Sequence, residues 1–314
     1  MRETVKESTT RSRLPANVRW LLAPATDEVP RGQAVAAAAL RVLLGLMWLY
    51  NVSWKRPPDF GQDAGNGLYK FTSYAVSHPV FPPYSWLVEH VVLKVFTPFG
   101  WLVLIAETTL AVLLLTGTWV RLAAAIGVAQ SVAIALSVAF APNEWPWSYW
   151  LMIGAHAVIL FSSAGRVLAV DGVRAGLPVT RTLGQAWGLL TVLVGAYSVL
   201  GSFGDPLAKR GPTLGSSDLS ISLGAYNLIG GLVLVVVGAL LLLASRGGPG
   251  KGAQAAAVLA AVAGLSLHAQ LGFTDPVLGG TATSAAYFLA VAVIAGCLGW
   301  DRRGGTPVDH HSPR

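Results

Sequence analysis

Apolar residues run through this chain in long unbroken stretches, and polar residues gather in the segments between them. A helical run near 20 residues is long enough to cross a hydrocarbon core of about 30 Å. Eight runs qualify, at 33–54, 99–117, 121–141, 147–163, 187–203, 222–244, 253–272 and 282–300, of which the fourth and fifth are short. Backbone amides in lipid must be satisfied within their own segment, and the runs lack the two-residue alternation of a transmembrane barrel, so the pattern predicts helices. The predicted fold is an all-α polytopic membrane protein of about eight helices. It divides into a basic tail at 1–32, a four-helix membrane domain at 33–172 with a long outer loop at 55–98, a second four-helix region at 187–300, and a tail at 301–314. The stretch DGVRAGLPVTRTLGQ, 171–185, breaks the apolar pattern with Gly, Pro and Arg and separates the two halves.

Inside the long outer loop, Ser85, Glu89, His90 and Lys94 fall on one half of a helix shared with Trp86 and Leu93, while Leu87, Val88, Val91 and Val92 cover the other half. That pattern predicts a helix lying at the membrane interface, with Thr97 and Pro98 starting the next span.

Composition agrees with the pattern: 54% of the 314 residues are hydrophobic and only 12% charged, outside the range of a soluble domain. The distribution of Lys and Arg sets the orientation. Fifteen lie on the side of the N-terminal tail: Arg2, Lys6, Arg11, Arg13, Arg19, Arg31, Arg121, Arg166, Arg174, Arg181, Arg246, Lys251, Arg302, Arg303 and Arg314. The opposite loops hold Lys55, Arg56, Lys70, Lys94, Lys209 and Arg210. Both termini are therefore expected in the cytoplasm, in a multi-pass protein of the plasma membrane. The net charge of +7 is spread along membrane edges, without a basic patch interleaved with aromatics, so lipid rather than nucleic acid is the expected contact. Residues 1–30 are polar and the first apolar run is long enough to stay as a helix, so no signal peptide is expected. Cys297 is the single cysteine, which excludes an intrachain disulfide or a CxxC couple. His310 and His311 read as a solvated tail, and no zinc spacing, phosphate loop or haem attachment motif is present.

The first four spans each carry a polar or ionisable residue: Arg41, Glu107, Gln130 and His156. Counted from the tail-side end of its own span, each lies roughly 10–15 Å in. Isolated charges at that depth cost about 2.5–3.5 kcal/mol on insertion scales, so a shared buried site is expected, with Arg41 and Glu107 as an ion pair. Taken singly, the bland readings are a structural ion pair, a glutamine joining two helices and a satisfied core histidine. Together they suit a quinone head group, whose carbonyls need donors and whose reduction needs two protons: Arg41 as donor, Glu107 or His156 as proton relay, Gln130 lining the site. At the outer mouth, Lys55 and Arg56 are placed to attract a small anion, with Lys70 assisting, while Trp54 and the NEWPWSYW segment (Glu144, Trp145, Trp147, Tyr149 and Trp150) read as an aromatic belt. The second half has no span-centred acid or base and reads as packing, with the small surface of span seven, Ala255, Ala256, Ala257, Ala260, Ala261 and Gly264, suited to close helix approach.

The segments RVLLGLMWLYNVSWK (Arg41–Lys55), AETTLAVLLLTGTWVRLAA (Ala106–Ala124), EWPWSYW (Glu144–Trp150) and AGRVLAVDG (Ala164–Gly172) resemble the DoxX superfamily, closest to its DoxD branch. The resemblance covers residues 33–172 and rests on Arg41, Gly45, Lys55, Glu107, Gly117, Arg121, Gly165, Arg166 and Asp171. It implies a membrane subunit of thiosulfate:quinone oxidoreductase, which joins two thiosulfate ions into tetrathionate while reducing a quinone, with a small companion redox subunit or soluble redox proteins as partners. The chain departs from the pattern at Thr108 and Thr109, where small glycine-like residues are usual, and in having four further spans. Two other classes fit the same residues: a non-catalytic anchor that docks redox proteins on the basic loop Arg166–Arg181, and a small-solute transporter with the polar layer as its midplane site.

Overall fold

A computed structural model describes residues 14–208, 210–214, 224–247, 250–272 and 277–301. The basic residues Arg2, Lys6, Arg11, Arg13, Lys209, Arg302, Arg303 and Arg314, and His310 and His311, lie outside them. The protein is an all-α polytopic membrane protein. Short helix α1 (Ala16–Leu22) precedes α2 (Arg31–Ser53), and the long loop after it holds α3 (Gly67–Ser77) and α4 (Pro82–Leu87). Then come α5 (Phe96–Thr116), α6 (Val120–Val138), α7 (Pro146–Leu160), the short α8 (Val170–Arg174), α9 (Thr180–Gly201), α10 (Leu228–Ser245), α11 (Gly250–Ala269) and α12 (Ala282–Asp301). Two-residue strands β1 (Thr213–Leu214) and β2 (Gly224–Ala225) pair antiparallel before α10.

Among the described residues, seven helices are long and apolar enough to cross a membrane. The eighth expected span is α7. Its 15 residues rise only about 22 Å. Even so it returns the chain along α6 from the side of the long loop to the side of the N-terminal segment, where Phe161 packs on Trp20 at 5.8 Å. These two sides are called here the loop side and the tail side.

Boundaries follow capping chemistry. Helix α5 ends at Gly117, whose φ of 67° is the left-handed conformation that closes a helix and that glycine adopts without a Cβ penalty. Helix α10 starts six residues later than the apolar run because Gly224 and Ala225 are spent in β2, and the Asn227 side chain then accepts from Gly230 N at 2.9 Å. Helix α9 starts seven residues earlier than expected, at Thr180.

The segment expected to lie as one interfacial helix is instead irregular. It begins as α4, passes through a π turn at Val88–Val92 and a 3-10 turn at Leu93–Val95, and leads into α5. Its two-sided division also fails, because Val88 is buried whereas Leu87 and Val91, on the same expected face, are exposed. Tyr84 fixes its start, bonding to Ala133 O and Ser137 Oγ of α6. The new span starts at Phe96, and Pro98 fits there because a first turn needs no intrahelical N–H donor.

Helix α12 joins the two halves. It packs on α11 and α9 and also on α5 and α2, and its Ala286 belongs to the core formed by Trp48, Leu49, Leu110, Leu114 and Ile159. The core of the second half gathers Tyr226, Leu234, Val237, Phe288, Val291 and Ile294 around the same helix.

Candidate functional site

The four polar residues of the first half occupy three levels, not one layer. Arg41 lies against Gly117, where a Cβ would collide with its Nη1 atom. Glu107 is ten residues before Gly117 on α5, which places it roughly 15 Å nearer the loop side than Arg41. The expected Arg41–Glu107 pair is therefore not formed. The physical reason is an offset: α2 extends well past the end of α5 on the tail side, so depths counted from each helix's own end do not compare.

At the lowest level, fully buried Arg41 donates from Nη2 to Leu168 O at 3.0 Å and Val167 O at 3.4 Å. Those carbonyls come from a turn in which Leu168 is left-handed (φ 46°). Beside it stands Asp171, also fully buried. Its carboxylate accepts from Trp119 N at 3.1 Å and Val120 N at 3.0 Å, closing the N-terminus of α6, and pairs with Arg174 Nη1 at 2.6 Å. An acid at a helix N-terminus satisfies donors that have no intrahelical partner and complements the helix dipole. Arg121 reaches Asp27 at 2.5 Å and stacks over Trp20 at 5.0 Å. Arg166 donates to Thr26 O at 3.1 Å, and Arg174 donates to Leu22 O at 2.9 Å. Three arginines thus hold the segment from Leu22 to Asp27 across the tail side.

At the middle level His156 meets Trp48. The indole Nε1 can only donate, so His156 Nε2, at 2.9 Å, accepts; its Nδ1 then carries the proton and donates to Met152 O at 2.8 Å. Both ring nitrogens of this buried, neutral histidine are engaged. Gly127 of α6 leaves room for the ring, since a Cβ there would strike it.

The highest level holds Lys55 and Glu107, an ion pair in which both side chains are almost fully buried. Lys55 also donates to Asn51 O at 2.9 Å and lies over the Trp54 ring at 4.0 Å, and Gln130 bonds to the Glu107 carboxylate. Lys55 therefore does not face an external anion at the mouth as expected. Its four-carbon stem folds back along α2 toward an acid that would otherwise stand unpaired in the membrane. Arg56 and Lys70 remain exposed. The belt tryptophans Trp145, Trp147 and Trp150 are exposed, and Tyr149 donates to Glu144.

A fourth feature has no counterpart in the sequence reading. Thr108, Thr109 and Val112 of α5 face Ala257, Val258 and Ala261 of α11 and Leu289, Ala292 and Val293 of α12 across an apolar groove of about 550 Å³. The Thr108 hydroxyl, on a residue 4% exposed, has no hydrogen-bond partner among the described residues. Of the small face of α11, Ala257 and Ala261 line one wall of this opening, while Ala256, Ala260 and Gly264 are buried where the helix packs closely, as expected.

No family model matches this chain, and no curated protein or solved structure matches it.

Proposed function

We propose that the protein is the membrane subunit of a quinone-linked oxidoreductase and that its quinone occupies the groove between α5, α11 and α12. The single observation that carries this reading is the unpartnered, buried Thr108 hydroxyl at mid-span in an otherwise apolar groove. A buried hydroxyl without a partner costs free energy, and a quinone carbonyl is an acceptor that would satisfy it while the isoprenoid chain lies along the alanines. Glu107, the preceding residue, is held as a carboxylate by Lys55 and Gln130; in this reading the proton-bearing group of the cluster is the Lys55 ammonium, and the Glu107 carboxylate relays protons between it and the quinone.

The donor is an anionic sulfur compound, the class that the DoxD resemblance implies. Two thiosulfate ions give up two electrons as tetrathionate forms, and the quinone takes those electrons with two protons. With Lys55 buried, exposed Arg56 and Lys70 are cations on the loop side able to meet such an anion. A companion redox subunit would carry the electrons inward. The excess of Lys and Arg on the tail side supports a cytoplasmic location for both termini, in the plasma membrane. The anchor reading is weakened because Arg174 of its docking loop is held by Asp171 and Leu22 O, and Arg166 is tied through Nη1 to Thr26 O.

The test is purification in native lipid, extraction and identification of bound quinone, and thiosulfate-dependent quinone reduction in the same preparation. Ala261→Phe, which fills the groove, is expected to abolish both while leaving the protein folded; Thr108→Val is expected to weaken quinone retention. Quinone retained unchanged in Ala261→Phe would overturn the groove assignment, and its absence from the natural protein would overturn the function.

A further inference from the structure

On the tail side, at the start of α2, lies a cavity of about 300 Å³ walled by Val29, Ala34, Val167, Leu177, Pro178 and Val179, with Arg31 and Arg166 at its sides. The two arginines come from separate parts of the chain, one from the first turn of α2 and one from the loop after α7. The exposed side chain of Arg31 makes no hydrogen bond or ion pair among the described residues. Arg166 spends only Nη1, on Thr26 O and Asp27 O, and its Nε and Nη2 atoms have no partner there. The acids at hand do not neutralise them: Asp27 is taken by Arg121, and exposed Glu28 pairs with neither arginine.

We propose that this cavity binds the headgroup of an anionic phospholipid. Two guanidinium groups beside apolar walls fit a ligand that is anionic at one end and hydrocarbon at the other. The cavity also stands where such a headgroup lies. Arg31 is the first residue of a membrane-crossing helix, and Trp20 and Trp119, both partly exposed, mark the interface on the same side. Basic pockets between membrane helices on the side rich in Lys and Arg meet the anionic leaflet, where each cation contributes about a fivefold gain in binding.

The full-length protein is titrated in detergent with phosphatidylglycerol and, separately, with phosphatidylcholine, and bound lipid is counted by native mass spectrometry. Phosphatidylglycerol is expected to bind in preference. Arg31→Gln, at an exposed residue without a partner, should weaken it about fivefold and leave the melting temperature unchanged. Arg166→Gln also removes the bond to Thr26, so Arg166→Lys is the companion variant: it keeps the charge and should retain most of the preference. Arg246→Gln, at the end of α10, should leave it intact. Equal binding of the two lipids, or an unchanged affinity in Arg31→Gln, overturns the proposal. Full displacement of phosphatidylglycerol by millimolar inorganic phosphate would assign the cavity to a free anion and overturn the lipid assignment. Because quinone is absent from every titration, these outcomes are independent of the reading given to the groove.

Discussion

The two halves of the molecule are both four-helix assemblies in the same membrane, yet they hold together by different means. The first half buries Arg41, Lys55, Glu107, His156 and Asp171 and joins its helices through bonds between residues far apart in sequence. Among the described residues of the second half, the buried polar side chains are hydroxyls and one amide, and several simply return to their own helix, as Ser198 does to Val194 O and Ser202 to Ser198 O. There the helices approach by backbone: a Cβ on Gly195 of α9 would come within 2.7 Å of Gly231 O of α10. Small residues are the usual means of helix association in lipid, where apolar side chains gain nothing by leaving one hydrocarbon for another. Charges buried without need are rare in membranes, so their concentration in one half marks where specific geometry is held.

The sharpest way to break this contrast is Asp171→Ala. It leaves the Trp119 and Val120 amides without an acceptor and Arg174 without its partner, and should destabilise the protein by about 3–5 kcal/mol. Folded yield on size-exclusion chromatography in detergent measures it. A yield close to the natural protein would mean that the tail-side cluster is not what holds α6 in place.

Next in size is the coupling between Lys55 and Glu107. Either residue changed alone to Leu strands the other charge in apolar surroundings, so the double variant should be more stable than the two losses added together, by about 0.5–3 kcal/mol. The same cycle run on Arg41 and Glu107 should be additive, since they stand roughly 15 Å apart along the membrane normal. Unfolding in a graded denaturing detergent gives both cycles. Coupling in the second and none in the first would reinstate the single-layer arrangement.

That reversal marks what the sequence could and could not tell. The helices were legible because long apolar runs have one solution in lipid, and their observed ends moved by a few residues where a cap or a strand intervened, as at Asn227. The first-half residues were legible as a buried set because polar groups in apolar runs stand out. Their partners were not, because pairing depends on how far one helix slides past the next, and α2 slides well past α5. Lys55 was misplaced for a related reason: a lysine at a helix end reads as surface, but its long stem can return into the membrane. Trp48 as the partner of His156, and Asp171 as the cap of α6, depend on contacts between residues more than 50 apart in sequence, for which no local pattern exists. Helix α3 was missed because it is short and sits in a loop rich in Pro and Gly.

In the second half the corresponding break is Gly195→Ala. One added carbon would press on Gly231 O and Val235 N, both backbone atoms that cannot turn aside, so α9 and α10 must separate, at a cost of about 1–3 kcal/mol. A melting curve in detergent checks it. The effect should fall on the second half, and limited proteolysis of the variant should open sites around α9 and α10 before those around α6 and α7.

The smallest expected effect completes the contrast. Tyr287 of α12 shares a hydrogen bond with Thr191 of α9 at 3.2 Å and packs against Trp187 at 6.1 Å and Tyr226 at 6.5 Å between ring centroids. Tyr287→Phe keeps the ring and its packing and removes only the hydroxyl, so the loss should be about 0.5–1.5 kcal/mol, the net worth of one neutral hydrogen bond. Thr191→Val should cost a similar amount, and the double variant no more than either alone, because the single bond is lost only once. A loss as large as that of Asp171→Ala would show that the second half also depends on a polar linkage, and the division between a half held by charges and a half held by close packing would fall.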